Sequence, residues 1–286
     1  MKFFLKNLLL CLSTLGAYQG FGAKVVIADA LCAAHSQTHD TARQNPMMKE
    51  LISGNIQPDR YLQYLANLDI LFEELEKKLS TRSDIYVPEG MKRSHQLKSH
   101  MNQVARLTGK DLAYPTPDAR ALAKRIRLEM EKPALTSMSY LLYGAATHGG
   151  LMIGKQVKKW LVENYGFMPE SALPFYKFNE PGPKLFNIFK GDLPEYFTDC
   201  EKNLEKREAK YQKYFRVTLS LNSELLKIFS SAYHSVQDPD FAHKSKSDRS
   251  RLSSKYIDES IQVSSAEAIA VGATLVGLAL TYWLTW

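Results

Sequence analysis

The sequence predicts an all-α protein built around one hydrophobic core, and three observations favour that class. Apolar side chains recur at positions 61, 62, 65, 68, 71, 72, 75 and 79, a 3.6-residue stripe with charges on the opposite face. Prolines stand where helices are expected to begin, as at Pro58 and Pro117. Strand signals are confined to residues 25–27 and 85–87, and each run is too short for a sheet.

Further helices are predicted in order along the chain. The first surrounds His39, and the apolar stripe at 61–79 forms the next. A helix at 97–107 ends at Gly109, and a helix at 119–131 is interrupted by Pro133. The remaining three are a glycine-containing helix at 137–161, a short one at 183–189 and a long one at 194–229. We therefore expect roughly eight helices in one domain spanning 28–231, with no internal repeat.

Composition excludes several classes of function. The formal net charge is +7, but Lys and Arg are spread along the 286 residues, and no basic arm for nucleic acid is present. A basic surface of this kind suits an acidic protein partner or an anionic membrane. The three cysteines form no C-x-x-C motif, which argues against a zinc knuckle, thioredoxin chemistry or a covalently attached c-type haem.

Both ends of the chain have the pattern of targeting or membrane segments. Residues 1–23 predict a secretory signal peptide or an organelle transit peptide. Residues 268–286 are uncharged, are long enough to span roughly 28 Å as a helix and end in aromatic residues, which predicts a C-terminal transmembrane anchor. A GPI-attachment signal is the competing interpretation. The polar residues 232–262 are expected to be a tether, and the location to be a secretory-pathway membrane such as the endoplasmic reticulum, or else an organelle membrane.

Two segments carry the residues from which chemistry is predicted. His39 lies on a predicted helix that leads into a short loop ending at Gly54, and a neutral imidazole is a good axial ligand for haem iron. The segment 140–150 contains Gly149 and Gly150, which allow a backbone to lie close to the other face of a flat cofactor. His35 lies one helical turn before His39, so helical spacing alone allows either ring to face the cofactor.

From about Ala28 to Phe229 the chain resembles the haem oxygenases, helical enzymes that open haem to biliverdin. No single motif carries the resemblance, which depends on an ordered set over some two hundred residues. The set comprises Ala30-Leu31, His39, Ala42, the 48–54 run, Tyr86-Val87-Pro88-Glu89, Arg93, Leu97, Lys124-Arg125-Ile126, Pro133-Ala134-Leu135, Tyr140, Tyr143, Gly149-Gly150 and Phe175-Tyr176-Lys177-Phe178.

The resemblance implies a haem clamped between a proximal and a distal helix, with a defined set of site residues. The iron ligand is His39, chosen over His35 by its spacing to the 48–54 run. The other implied residues are Tyr140 and Lys190 for binding haem, and Gly149 and Gly150 for binding and catalysis on the distal side. We add His148, beside them, as a candidate catalytic residue.

The chain departs from the family pattern at several of these positions. Arg43 replaces a Glu that holds the proximal imidazole, and Ala146 replaces an Asp that organises the distal water. His148 replaces a Ser, and three roles are open for it: a proton donor through water, a second iron ligand, or a solvent-facing side chain. Cys32 and Phe186 fall where the family has basic residues that bind the haem propionates.

The function expected from the resemblance is a membrane-anchored haem oxygenase. It would use haem as substrate and cofactor, O₂, and electrons from an NADPH-dependent reductase or a ferredoxin, which could dock on Lys155, Lys158 and Lys159. The alternative is a haem-binding relative without turnover, such as a carrier, sensor or scaffold. A thiaminase-like bundle of the same architecture is a third possibility, although the nucleophilic Cys and core carboxylates of that family are not found here.

Overall fold

The computed structural model describes residues 27–166, 173–193 and 204–235, and these residues confirm the all-α class. They contain no β-strand. The helices, in chain order, are α1 (Ile27–Gln44), α2 (Pro46–Ser53), α3 (Pro58–Leu79), α4 (Ser94–Thr108), α5 (Pro117–Leu128), α6 (Lys132–Gly144), α7 (Gly150–Tyr165), α8 (Gly182–Asp192) and α9 (Leu204–Ser235). A π-helical segment, Ala145–Gly149, joins α6 to α7.

Local sequence signals account for most of the helix ends. A proline occupies the first turn of α2, α3, α5, α6 and α8, where its missing N–H removes no helical hydrogen bond. Asn45 caps α2, because its side-chain oxygen accepts a hydrogen bond from the Met47 N–H at 3.0 Å. Gly54 and Gly109 end α2 and α4 with φ of 74° and 65°, a left-handed conformation that side chains other than glycine rarely adopt.

The helix α3 lies at the centre of the bundle. Its apolar stripe is buried as the periodicity predicts, and Tyr61, Leu65 and Phe72 are almost completely excluded from solvent. It packs against α4, α5 and α9, while α9 also runs along α1 and α6. The buried apolar side chains of the described residues form one continuous cluster. This packing leaves α1 and the π-helical segment on the same side of the core.

Some predicted boundaries differ from the observed ones. The helix predicted at 137–161 begins earlier and ends later, and α6, the π-helical segment and α7 form one continuous helical stretch from Lys132 to Tyr165. The helix α9 reaches Ser235, so the first four residues of the predicted 232–262 tether are helical, because Ala232 is still packed into the core.

The predicted signal peptide (1–23), the remainder of the tether and the predicted anchor (268–286) lie outside the described residues. Among the helices that are described, none combines the length and the apolar character needed to cross a membrane.

Candidate functional site

The distal side of the candidate site is formed by the π-helical segment. The Gly150 N–H donates to the carbonyl of Ala145, five residues earlier, and this wider turn is the local cause of the bulge. His148 is exposed, and a Cβ added at Gly149 would meet no atom within 4 Å. The outer face of the segment therefore presents an imidazole and a stretch of uncovered backbone. Short π bulges of this kind are frequent at functional sites.

Hydrogen bonds orient the His148 ring. Its Nδ1 lies 3.3 Å from the carbonyl oxygen of Gly144 and 3.0 Å from Thr147 Oγ1. A carbonyl only accepts, so we assign the proton to Nδ1, while Thr147 donates its own proton to the Tyr143 carbonyl at 2.7 Å. In this neutral tautomer Nε2 carries a lone pair, and His148 acts there as a hydrogen-bond acceptor or a metal ligand.

The proximal side of the site is formed by α1, and the structure distinguishes its two histidines. The residues of α1 that are buried against the core end at Ala34. His35 follows directly, and its Nδ1 is buried without a hydrogen-bond partner among the described residues. The His39 side chain lies one turn further and is 54% exposed, and its Nδ1 is 3.9 Å from Asp40. The two rings meet edge to face at 5.6 Å.

A row of ring contacts connects the proximal and distal histidines. The centroid of the His35 ring is 6.4 Å from that of Tyr140, the Tyr140 ring is 5.2 Å from Phe186, and the Phe186 ring is 5.0 Å from His148. Phe186 also lies against the backbone of Gly144, where an added Cβ would be 3.0 Å from its ring. The two imidazoles therefore stand at the two ends of one row of rings, and we call the region along this row, between α1 and the π-helical segment, the gap.

Electrostatics keep both imidazoles neutral near pH 7. Burial, together with smaller contributions from the nearby His39 and His148 as potential positive charges, lowers the pKa of His35 to about 4. Burial also lowers the pKa of His148, and the positive charge of Lys190 adds to that effect. A neutral imidazole has a free lone pair, so both rings are in the state that a metal requires.

The four positions that correspond to the predicted propionate-binding residues differ in their chemistry. Tyr140 is buried, and burial together with the neighbouring Cys32 raises the pKa of its phenol. Cys32 is exposed with a free thiol, and Phe186 is buried. The Lys190 ammonium lies 5.4 Å from the centroid of the Phe186 ring, at the edge of the gap. Of these four residues, only Lys190 offers a positive charge to an anionic ligand.

The structure brings together most of the residues that the sequence predicted for the site. Four of them border the gap or its edge, namely Tyr140, His148, Gly149 and Lys190. Gly150 instead faces the core, where an added Cβ would be 3.5 Å from Tyr176. Residue 146 is a buried alanine and therefore supplies no carboxylate. Among the described residues, no group of three or more His, Cys, Asp or Glu side chains could hold a metal ion on its own.

The fold and the site together define a class of protein: an all-α bundle with an imidazole-bordered gap between its first helix and a glycine-containing helix that carries a π bulge. Comparison with known proteins assigns the chain to a family within that class. The Heme oxygenase family model matches residues 26–208, more than half of the chain, and the chain belongs to this family. The resemblance stated from the sequence is thereby confirmed.

Solved structures and a curated relative agree with this assignment. Heme oxygenase-2 from Synechocystis sp. PCC 6803 in complex with heme and NO has a TM-score of 0.58, with 19% identity over 80% of this chain and 92% of that chain. Heme oxygenase-1 from Synechocystis sp. PCC 6803 in complex with heme has a TM-score of 0.56, with 15% identity over 83% of this chain and 100% of that chain. Heme oxygenase from Leptospira interrogans has a TM-score of 0.54, with 19% identity over 72% of this chain and 99% of that chain. At these identities the likeness shows the fold.

The curated relative is named "Probable inactive heme oxygenase 2, chloroplastic" and comes from Oryza sativa subsp. japonica. It is 24% identical over 160 residues, which are 52% of this chain and 46% of the relative. The match thus spans about half the length of that relative.

Proposed function

We propose that this protein is a haem oxygenase that binds haem in the gap between α1 and the π-helical segment, with His35 as the iron ligand. The observation that carries this proposal is the His35 ring, a neutral imidazole with an orphaned, buried Nδ1 that borders the gap opposite His148. The sequence predicted His39 for this role. Ligation by either residue stays a prediction, but exposure and ring position favour His35.

The residues fit a flat, anionic ligand on three sides. An imidazole stands on the proximal side, the uncovered backbone at Gly149 lies on the distal side, and the Lys190 ammonium at the edge of the gap suits a propionate. When bound, haem is both the substrate and the group that activates O₂, and the proposed products are biliverdin, CO and iron. The protein supplies orientation, exclusion of water and hydrogen bonds.

His148 takes over part of the role that the absent distal carboxylate has in the family. A carboxylate organises water by accepting hydrogen bonds, and the Nε2 of His148 is an acceptor in the tautomer assigned above. A water held at Nε2 would stand beside the open backbone of Gly149 and could deliver protons there. Because burial lowers the pKa of His148, the ring itself is a poor proton donor near pH 7.

A second candidate function is haem binding without ring opening, and one observation favours it. The Nε2 lone pair of His148 has the chemistry of a metal ligand, and His35 stands at the other end of the same row of rings, so both imidazoles would be available to hold one iron. Such ligation would close the face at which O₂ must bind. The absence of a carboxylate at Ala146, and the name of the rice relative, are consistent with this candidate.

Haem titration of the full-length protein tests the proposal. We expect His35→Ala to weaken haem binding about tenfold or more, which corresponds to about 1.4 kcal/mol, and His39→Ala to weaken it much less. Urea unfolding of both variants is the stability control, because the His35 ring is more buried than the His39 ring. The opposite order would return the ligand to His39, and no loss in either variant would refute binding at this gap.

Turnover distinguishes the two candidate functions. With a reductant and O₂, a haem oxygenase produces a bilin absorption band, and wild-type ferric haem binds azide. A closed site gives a six-coordinate low-spin spectrum that azide does not change and yields no bilin. In that case His148→Ala should open the sixth position and restore azide binding.

The electron donor and the membrane are parts of the same proposal. Lys155, Lys158 and Lys159 are exposed on α7, and we propose that they dock an acidic reductase or ferredoxin. Salt should then slow electron delivery in the wild type more than in a variant with these lysines changed to Gln.

We further propose that residues 268–286 anchor the protein in a membrane of the secretory pathway, which fractionation of tagged protein with and without these residues would test.

A further inference from the structure

A group of buried polar rings lies behind the distal segment and has no part in the proposed function. It consists of Tyr61, His100 and Tyr176, which we call the phenol–imidazole row. The Tyr61 hydroxyl oxygen is 2.8 Å from His100 Nε2 and 3.0 Å from the Tyr176 hydroxyl oxygen. All three side chains are buried, and the rings of His100 and Tyr176 are 5.3 Å apart.

The phenol–imidazole row is costly compared with an apolar core. Burial lowers the pKa of His100 to about 3 and raises the pKa values of both tyrosines, so the charged forms are strongly disfavoured. The His100 Nδ1 is buried without a partner among the described residues. An unsatisfied buried polar atom destabilises the fold, and hydrophobic side chains of similar shape would avoid that cost. The row therefore marks a place where a defined position matters more than stability.

The phenol–imidazole row touches the helix that follows the bulge. A Cβ added at Gly154 would lie 2.8 Å from both Cβ and Cγ of Tyr176, and one added at Gly150 would lie 3.5 Å from its Cδ1. The backbone of α7 thus rests directly on the Tyr176 ring. Gly150 is also the residue whose N–H closes the π turn onto Ala145. Tyr176 therefore lies against the same residue, Gly150, whose backbone closes the bulge.

A second close approach holds the segment from another side. A Cβ added at Gly182, the first residue of α8, would lie 2.7 Å from the carbonyl oxygen of Thr147. The π-helical segment is therefore bounded by Tyr176 behind α7 and by the start of α8. Tyr176 is itself tied to the central helices, because its hydroxyl group is hydrogen-bonded to Tyr61 on α3, and Tyr61 is in turn hydrogen-bonded to His100 on α4.

We propose that Tyr176, held by Tyr61 and His100, is a positioning residue that sets where the π-helical segment and His148 stand relative to α1. This inference rests on the proposed function for its meaning at the haem site, because the position of His148 decides whether its Nε2 holds a water or reaches the iron. The structural part, that the row positions the bulge, stands without haem.

Hydrogen exchange of the haem-free, full-length protein tests the structural part. Gly154→Ala places a methyl group against Tyr176, and we expect the amides of residues 145–150 to exchange about tenfold faster or more. Gly191→Ala is the matched control, because its added Cβ meets no atom within 4 Å. Equal exchange of residues 145–150 in the two variants would overturn the proposal.

Variants that lose only a hydroxyl group separate positioning from general stability. Tyr176→Phe and Tyr61→Phe remove the hydrogen bonds of the row and keep the rings. Tyr64→Phe is their control, since Tyr64 is a buried tyrosine on α3 whose ring stacks on Tyr61 at 6.4 Å but which is outside the row. We expect the amides of residues 145–150 to exchange faster in Tyr176→Phe and Tyr61→Phe, while the amides of α5 exchange at the wild-type rate. A response no larger than that of Tyr64→Phe would contradict the proposal, and this comparison decides the matter if Gly154→Ala does not fold.

The haem-bound protein supplies the functional readout. Gly154→Ala should change the ratio of six-coordinate to five-coordinate ferric haem, whereas Gly191→Ala should not. If wild-type protein binds no haem but the exchange differences appear, the proposed function fails and the positioning role stands. If haem binds and the exchange differences are absent, the positioning role fails alone.

Discussion

Acidification should destabilise this protein well above the pH at which carboxylates titrate, and, together with His35, His100 is the reason. Its ring is completely buried and its pKa is lowered by burial to about 3, from about 6.5 in the unfolded chain. The unfolded chain therefore binds a proton as the pH falls through 6.5, whereas the folded chain stays neutral until about pH 3. The stability linked to His100 is complete above pH 6.5 and is lost progressively below it.

The magnitude follows from this difference in proton binding. Each pH unit in the window lowers the free energy of unfolding by about 1.4 kcal/mol for each proton that only the unfolded chain binds, so His100 alone accounts for about 3 kcal/mol between pH 6.5 and 4. His35, with a pKa lowered to about 4, adds a similar loss over the same range. Asp69 acts in the opposite direction because its folded pKa is raised to about 6, but its partial exposure reduces that contribution.

Urea unfolding of the wild type and of His100→Leu, measured from pH 7.5 to pH 4, checks this reasoning. The variant cannot take up the proton, so its free energy of unfolding should depend on pH less steeply, by about 1.4 kcal/mol per pH unit. His39→Leu is the control, since that side chain is exposed. Parallel curves for wild type and His100→Leu would refute the assignment of a buried, neutral imidazole. For a domain stabilised by about 5–15 kcal/mol, the expected loss is large enough to measure.

Two further predictions concern the ends of helices. Asn45→Ala should lower the free energy of unfolding by about 1–3 kcal/mol, because the Asn45 side chain caps α2 and also donates a hydrogen bond to the Ser230 hydroxyl at 2.9 Å. The measurement is urea unfolding, with Ser53→Ala, at an exposed site, as the control. Glu76→Ala should lower the free energy of unfolding by about 1–3 kcal/mol in the same measurement, because the carboxylate accepts hydrogen bonds from the Ser94 N–H and hydroxyl at the start of α4. The control is Glu73→Ala, since Glu73 forms an exposed ion pair with Lys98. A loss no greater than that of Glu73→Ala would show that the Glu76 cap contributes little.

Local patterns were sufficient to predict much of the fold. The stripe of α3, the proline starts of α3 and α5 and the glycine end of α4 are effects of neighbours within one or two turns, and the structure has them close to where the sequence placed them. The prediction was weaker where two helical stretches meet. The π turn at Ala145–Gly149 produces no interruption in the apolar pattern, and the extension of α9 to Ser235 depends on its packing against α1 and α3.

The site residues selected from the sequence remain predictions, and the structure shows how they lie relative to one another. The sequence selected Tyr140, His148, Gly149 and Lys190, which lie around one gap. It ranked His39 above His35, because the family spacing and not the burial of α1 decided between two rings four residues apart. It also passed over the phenol–imidazole row, whose members are far apart in sequence and individually resemble ordinary core residues.

The sequence by itself determined the all-α class, the central amphipathic helix, the family and the loss of a carboxylate at Ala146, since each of these depends on residue identity or on spacing along the chain. Only the tertiary structure decided which α1 imidazole is the more buried, how the His148 ring is held, and which buried tyrosine packs against α7. These features depend on where one helix ends against another. In α1 the last buried residue is Ala34, and beyond it the Nδ1 of His35 is buried whereas the His39 side chain is more than half exposed.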